Sequence, residues 1–498
     1  MTMLEDIFIG LTTTLAPAML LAIFIGSVVG VVIGMLPGLT STMGVALLIP
    51  MTFVFPPEIG LALLGGVYVS STFSGAISAI LLNIPGTPSA VATCWDGYPM
   101  TQMGKGGRAI GLAVFASCIG GLFSTVVLLF MAPVLSELSL MLGAPEYFLF
   151  AVFGVTIIAS VSEGKLLPGL IVGILGLIIS MVGMHPMTGE MRLTLGLPVL
   201  YDGLPLVIAL IGLYSIPEAI SLMSSESRKS SELKVDFSGG WQVFKDTLKQ
   251  KTNLIRSSLL GTIVGIVPGV GQSITSFIAY DMAKKASKEP EKFGKGAEEG
   301  IVASETANNA VTGGSLVPLL TLGIPGNAVT AVLLGGLTIH GLSPGPALFE
   351  QTPDIAYGFI FSLFLSNLAF VPIGLLIAYY GSRVIFLPKE ILASIIIALA
   401  IIGAFSIRSQ VEDIGIMLIV GVIGYVFMIL NVSRSPLVLG LVLGSMAESN
   451  FSRALLLSHG SFADLALQFI TRPMSVILIL LCVLSIYFGL RTSRGNRI

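Results

Sequence analysis

Residues 30–42 read GVVIGMLPGLTST, and in the second half of the chain residues 261–273 read GTIVGIVPGVGQS. Both fit GxxxGxxPG: Gly30, Gly34, Pro37 and Gly38 stand where Gly261, Gly265, Pro268 and Gly269 stand. A second pair follows in the same order. LLNIPGTPSAV (81–91) and TLGIPGNAVTA (321–331) share Ile-Pro-Gly, each preceded by a small, polar stretch. A lone GxxxG marks nothing more than close helix packing, but two motif pairs in one order make an internal repeat.

Charge shows how the halves relate. The first-half loop between the motifs, residues 50–58, has no Lys or Arg, whereas its counterpart carries Lys284, Lys285, Lys288, Lys292 and Lys295. After the second motif the bias reverses. Lys105 and Arg108 follow in the first half, while residues 341–354 hold Glu350 and Asp354 and no base. Cytoplasmic loops collect Lys and Arg, so equivalent loops are expected on opposite faces and the repeats inverted, as in secondary transporters. The central loop (Arg228, Lys229, Lys234, Lys245, Lys249, Lys251) and the tail (Arg491, Arg494, Arg497) would also be cytoplasmic.

Residues 257–283 then begin and end on one side. A straight helix of that length would rise about 40 Å and leave by the far face. A Pro-Gly break lets it turn back, because proline removes a donor and glycine permits positive φ. The expectation is a re-entrant or broken helix with its tip at 30–42 and another at 261–273. Exposed backbone at that depth must line a cavity or be buried in protein, which points to a binding site at the tips.

Composition agrees. Hydrophobic residues make up 54% of the 498 positions and charged residues 10%, less than half of the roughly 25% charge of a soluble domain. The net charge of -2 offers no basic surface for nucleic acid. Cys94, Cys118 and Cys482 stand at unrelated spacings, as buried thiols rather than a disulfide framework or metal site. Acidic residues follow the N-terminal Met where a cleaved signal peptide would be basic, so the first apolar run is expected to be retained. The expected fold is an all-α polytopic membrane protein of about ten to twelve transmembrane helices. Its parts are a first repeat at 1–223, a cytoplasmic linker at 224–256 and a second repeat at 257–498.

Candidate substrate- and ion-binding residues cluster at the tips. In the first half they are Gly34, Pro37, Gly38, Thr40, Ser41 and Thr42, joined by Asn83, Pro85, Gly86 and Thr87. The second half offers Gly265, Pro268, Gly269, Gly271, Gln272 and Ser273, then Asn308, Asn309, Pro325, Gly326 and Asn327. A helix beginning after a break presents free N–H groups and a positive dipole end to a carboxylate. Freed carbonyls can ligate a small hard cation such as sodium. The competing reading is that Pro-Gly merely kinks packed helices. Asp96, Asp281 and Glu305 read equally as membrane carboxylates or as groups solvated at segment ends, and Asp281 as paired with its lysine neighbours. His185, His340 and His459 read as structural, and Arg192, Arg383, Arg408, Arg434, Arg453 and Arg472 as interfacial anchors. No Walker A, dinucleotide fingerprint or HExxH occurs.

GMLPGLTSTMGVALLIPMTF, LLNIPGTPSAVATCWDGYPMTQMGKGGRAIG, GIVPGVGQS and LGIPGNAVTAVLLGGL resemble the large membrane subunit of the tripartite tricarboxylate transporters. The similarity extends over nearly the whole chain. It implies a periplasmic solute-binding protein, a small membrane subunit, and carboxylate uptake into the cell through the inner membrane. The driving force would be an ion gradient, commonly sodium, with no cofactor. Substrates in the family range from citrate to other di- and tricarboxylates and aromatic acids. By analogy the hairpins make the fold similar to elevator-type carriers. The rivals are a stand-alone ion-coupled anion carrier, an intramembrane enzyme, which lacks any paired-aspartate, Ser/His or metal constellation here, and a membrane scaffold, which needs no polar tips.

Overall fold

The computed structural model describes residues 3–161, 166–185, 187–224, 239–268, 271–380 and 389–495. Helices α1 (Met3–Thr14) and α2 (Pro17–Met35) lead into α3 (Ser41–Thr52), α4 (Pro57–Leu82), α5 (Val91–Gln102) and α6 (Gly106–Ser139). Next come α7 (Ala144–Val161), α8 (Leu166–Ser180), a hairpin of β1 (Gly183–Met184) and β2 (Met191–Arg192), and α9 (Leu206–Ser224). The second half opens with α10 (Gly240–Lys249), α11 (Lys251–Ile266), α12 (Gly271–Ala286), α13 (Glu298–Leu322) and α14 (Ala328–Ile339). Then follow α15 (Pro346–Gln351), α16 (Pro353–Tyr380), α17 (Lys389–Arg408) and α18 (Glu412–Ile429). The chain closes with α19 (Ser435–Leu457), α20 (Phe462–Thr471) and α21 (Pro473–Gly495).

Both Pro-Gly segments form helical hairpins. Glycines recur every fourth residue along α2, giving it a flat stripe that lies against α4. A Cβ on Gly26, Gly30 or Gly34 would come within 2.4, 2.7 and 2.2 Å of the carbonyl oxygens of Leu63, Val67 and Ser71 respectively. The pairing ascends in both helices, so α2 and α4 run parallel and α3 between them must run back. Pro37 and Gly38 (φ +94°) form the turn. The second half repeats the arrangement. Gly261 meets Ala307 and Gly265 meets Val311, so α11 parallels α13 and α12 returns. Gly269 lies outside the described residues. Beyond each long helix the chain doubles back from a left-handed residue, Asn83 (φ 57°) or Gly323 (φ 71°). Gly86 then lands on Gly34 O, where a Cβ would sit at 2.1 Å, and Gly326 lands on Gly265 O, at 2.7 Å. The two motifs of each half therefore touch.

The halves meet along α4 and α13. Tyr68 bonds Ser315 (2.9 Å), Asn309 donates to Val69 O (3.3 Å) and Asn308 to Thr72 O (3.1 Å). One series ascends while the other descends, so these equivalent helices run in opposite directions.

Among the described residues, α2, α4, α6, α9, α16, α17 and α18 are long and apolar enough to cross a membrane. An eighth span is possible if α19 and α20, bent by 103°, count as one. The expected ten to twelve refer to the whole chain, and two kinds of helix among the described residues fall short of a span for physical reasons. Apolar runs such as α3 and α14 are short arms of 12 residues. Helix α13 has the length, at 25 residues, but carries Glu305, Asn308, Asn309, Thr312 and Ser315, all buried against protein. It is shielded from lipid, so it need not be apolar.

The stretch 224–256 is partly helical. Residues 225–238, with Arg228, Lys229 and Lys234, lie outside the described part, as does Arg383. Helix α10 docks on α6 through Phe244 and Phe115 (5.1 Å between ring centroids) and the pair Arg108–Asp246 (3.0 Å). Helix α11 already begins at Lys251. The three cysteines are free and buried.

Candidate substrate cavity

A cavity of about 420 Å³ opens where the four motif segments converge. Thr40, Ser41 and Thr42 line it from the start of α3, and Gly271, Gln272 and Ser273 from the start of α12. Thr87, Pro88 and Ser89 enter just ahead of α5, and Asn327, Ala328 and Val329 at the start of α14. A fifth helix start comes from outside the repeats, Val432, Ser433, Arg434 and Ser435 leading into α19. Local sequence explains each start. Thr40 caps α3 by accepting from Met43 N–H (3.2 Å). Asn327 and Thr330 form a capping box on α14, and Asn327 also donates to Tyr68 Oη (2.9 Å). Pro88 opens its turn because its missing N–H costs nothing there. Each helix start offers N–H groups without intrahelical partners and a positive dipole end. An anion in this cavity would meet five such ends.

Of the residues singled out in the sequence, Thr40, Ser41, Thr42, Thr87, Gly271, Gln272, Ser273 and Asn327 line the cavity. Gly34, Gly86, Gly265 and Gly326 sit behind it as backbone contacts, and Asn308 and Asn309 tie α13 to α4. Pro37, Gly38 and Pro268 belong to the turns, and Asn83, Pro85 and Pro325 to the returns after the long helices; none of them lines the cavity.

Arg434 corrects the expectation of an interfacial anchor. It lines the cavity, bonded to Glu218 of α9 (2.7 Å) and Leu213 O (3.2 Å), with its guanidinium 5.2 Å from the Tyr214 ring centroid. The Ser-Arg-Ser-Pro run at 433–436 is a helix start with proline near its first turn, a signal that would have revealed a further dipole end. Arg192 departs from the anchor reading as well. It pairs with Glu448 in a second cavity of about 590 Å³, bounded like the first by α9, α14 and α19. Arg408 pairs with Asp413 and Arg472 with Glu146.

Two carboxylates for which the sequence offers solvation at a segment end as the alternative reading are fully buried. Asp96 accepts from Tyr280 Oη (2.8 Å) and the N–H groups of Gly294, Gly296 and Ala297 (2.8, 2.8 and 2.9 Å), fastening the loop before α13 to α5. Glu305 is the other. Asp281 is exposed and paired with Lys285 (2.6 Å), as the lysine cluster suggested.

A family profile, the tripartite tricarboxylate transporter TctA family, matches residues 20–439. The chain belongs to the TctA family. A relative from Agrobacterium vitis, described as an uncharacterized 52.8 kDa protein in the TAR-I ttuC' 3'region, is 34% identical over 479 residues. That match covers 96% of this chain and 94% of the relative. A second protein of that organism, in the TAR-II ttuC' 3'region, is 35% identical over 240 residues, 47% of this chain and 98% of its own. No solved structure matches. Membership makes this TctA-family chain a transporter subunit and not an enzyme. The matched region of the TctA-family chain contains every motif segment around the cavity, together with Arg434.

Proposed function

We propose that this chain is the large permease subunit of an inner-membrane tripartite carrier that takes up a small carboxylate together with sodium. A periplasmic binding protein delivers the substrate, and a small membrane subunit completes the complex. The observation that carries the reading is the convergence of five helix starts and Arg434 on one polar cavity. That environment is complementary to negative charge, and its size suits a di- or tricarboxylate. Arg434 is already neutralised by Glu218, so a multiply charged anion would bring more negative charge than the cavity offsets. A co-transported cation lowers that net charge in the low-dielectric core. The repeated hairpins and the opposed directions of α4 and α13 support inverted repeats.

Vesicles holding both membrane subunits test this, with sodium gradient, proton gradient and binding protein varied independently. Labelled carboxylate should accumulate only with the sodium gradient and the binding protein, and should survive ATP depletion while the gradient is clamped. Robust uptake with neither gradient nor binding protein would defeat the proposal.

Topology is tested separately, in a background lacking the three native cysteines. Single cysteines at Lys105 and Lys288 should react with an impermeant reagent only from the cytoplasm, and those at Pro57 and Ala347 only from the periplasm. Labelling of Pro57 and Lys288 from one side would remove the inversion.

A further inference from the structure

Glu305 lies outside the cavity, on α13, and is 0% exposed. The hydroxyls of Thr93 on α5 and Ser117 on α6 (3.1 Å to Oε2) donate to its two carboxylate oxygens. Ser304 Oγ stands 3.3 Å from Thr93 Oγ1. Asn308, one helical turn on, has its Oδ1 buried without a hydrogen-bond partner. Among the described residues no ion pair includes Glu305. The chemistry is incomplete. Neutral donors do not balance a carboxylate removed from water, and an ionisable group at membrane depth calls for a partner. The groups that meet at Glu305 contribute oxygen atoms, two from its carboxylate and one each from Thr93, Ser117 and Ser304, and the unpartnered amide oxygen of Asn308 belongs to the next turn of the same helix. Such a set suits a small hard cation.

We propose that this oxygen cluster around Glu305 binds the sodium ion that travels with the substrate. The proposal deepens the cation-coupled reading of the cavity and rests on it for the ion's role in transport. The connection is short. Asn308 donates to Thr72 O (3.1 Å) on α4, and Gln272, which lines the cavity, donates to Thr72 Oγ1 (3.2 Å). Drawing Asn308 toward a cation at Glu305 therefore acts on the turn of α4 that positions Gln272. Sodium would neutralise Glu305, so the pair could move through the membrane without a net charge at this point.

The test uses the purified full chain in detergent, without carboxylate or partner subunits. Its melting temperature is followed as sodium chloride replaces choline chloride at constant ionic strength and pH. The wild-type chain should be stabilised saturably. Glu305→Gln, which keeps the size and hydrogen-bonding capacity, should raise the half-saturating sodium concentration about tenfold or more, the scale of one charged ligand. Ser117→Ala and Thr93→Val, each removing one oxygen, should raise it less. A wild-type chain indifferent to sodium would overturn the proposal, as would a folded Glu305→Gln chain with the wild-type response. If Glu305→Gln does not fold, unchanged responses in both hydroxyl variants would overturn it. Because binding is read without substrate, failure here leaves carboxylate uptake standing, and failed uptake leaves this site standing.

Discussion

Replacing Arg434 with Gln is expected to raise the KM for carboxylate uptake about tenfold to a hundredfold, the value of one charge-assisted hydrogen bond. Arg434 is the cation among the residues lining the cavity, and its guanidinium is fixed from three directions by Glu218, Leu213 O and the face of Tyr214. A substrate carboxylate arriving there competes with Glu218 for a pre-positioned fork. Arg434→Lys should recover part of the loss, since it keeps the charge but not the planar pair of donors. Glu218→Gln should move the other way and lower KM, because it frees the guanidinium while keeping the side chain's size. The measurement is initial uptake rate against substrate concentration in vesicles, normalised to inserted protein. Wild-type KM in both Arg434 variants would return this residue to a structural role.

Placing valine at Gly34 is expected to cut uptake below about one per cent of wild type while the chain still inserts. An added Cβ would lie 2.2 Å from Ser71 O and 2.3 Å from Ser74 Oγ, and Gly86 already rests on the Gly34 carbonyl. The Ser71 carbonyl is backbone and cannot yield without moving α2 from α4, and overpacking of that kind costs about 1–3 kcal/mol or more. The displaced element is the arm that carries Thr40, Ser41 and Thr42 to the cavity. Gly38→Val should have a similar effect by a different route, since φ of +94° strains any β-branched residue. Gly415→Ala is the control, because nothing lies within 4 Å of the added carbon, and its uptake should match wild type. Uptake and the yield of monodisperse protein decide the matter together. Normal transport in Gly34→Val would show that the hairpin contact does not hold the cavity in shape.

Much of this architecture was legible in the residues because the relevant constraints are local. A chain with 10% charged residues has too little polar surface to be wetted all round. Pro37-Gly38 cannot continue a helix, and Thr40 and Asn327 are residue types that start one. The class, the hairpin tips, and the hydroxyl and amide side chains that line the cavity all follow from such properties. The environment of Asp96 and Glu305 and the place of Arg434 do not. Asp96 and Glu305 stand near the ends of apolar runs, yet both are sealed because other helices cover them. Helix α13 falls outside the helices apolar enough to cross a membrane, since its amides and hydroxyls are turned toward α4, α5 and α6 rather than lipid. Arg434 follows the last candidate residue, Asn327, by more than a hundred positions and reaches the cavity only because α9 and α19 pack against the tips. Hydropathy and turn chemistry are properties of neighbours in the chain. Burial and charge pairing depend on which helix lies alongside, and only tertiary packing decides that.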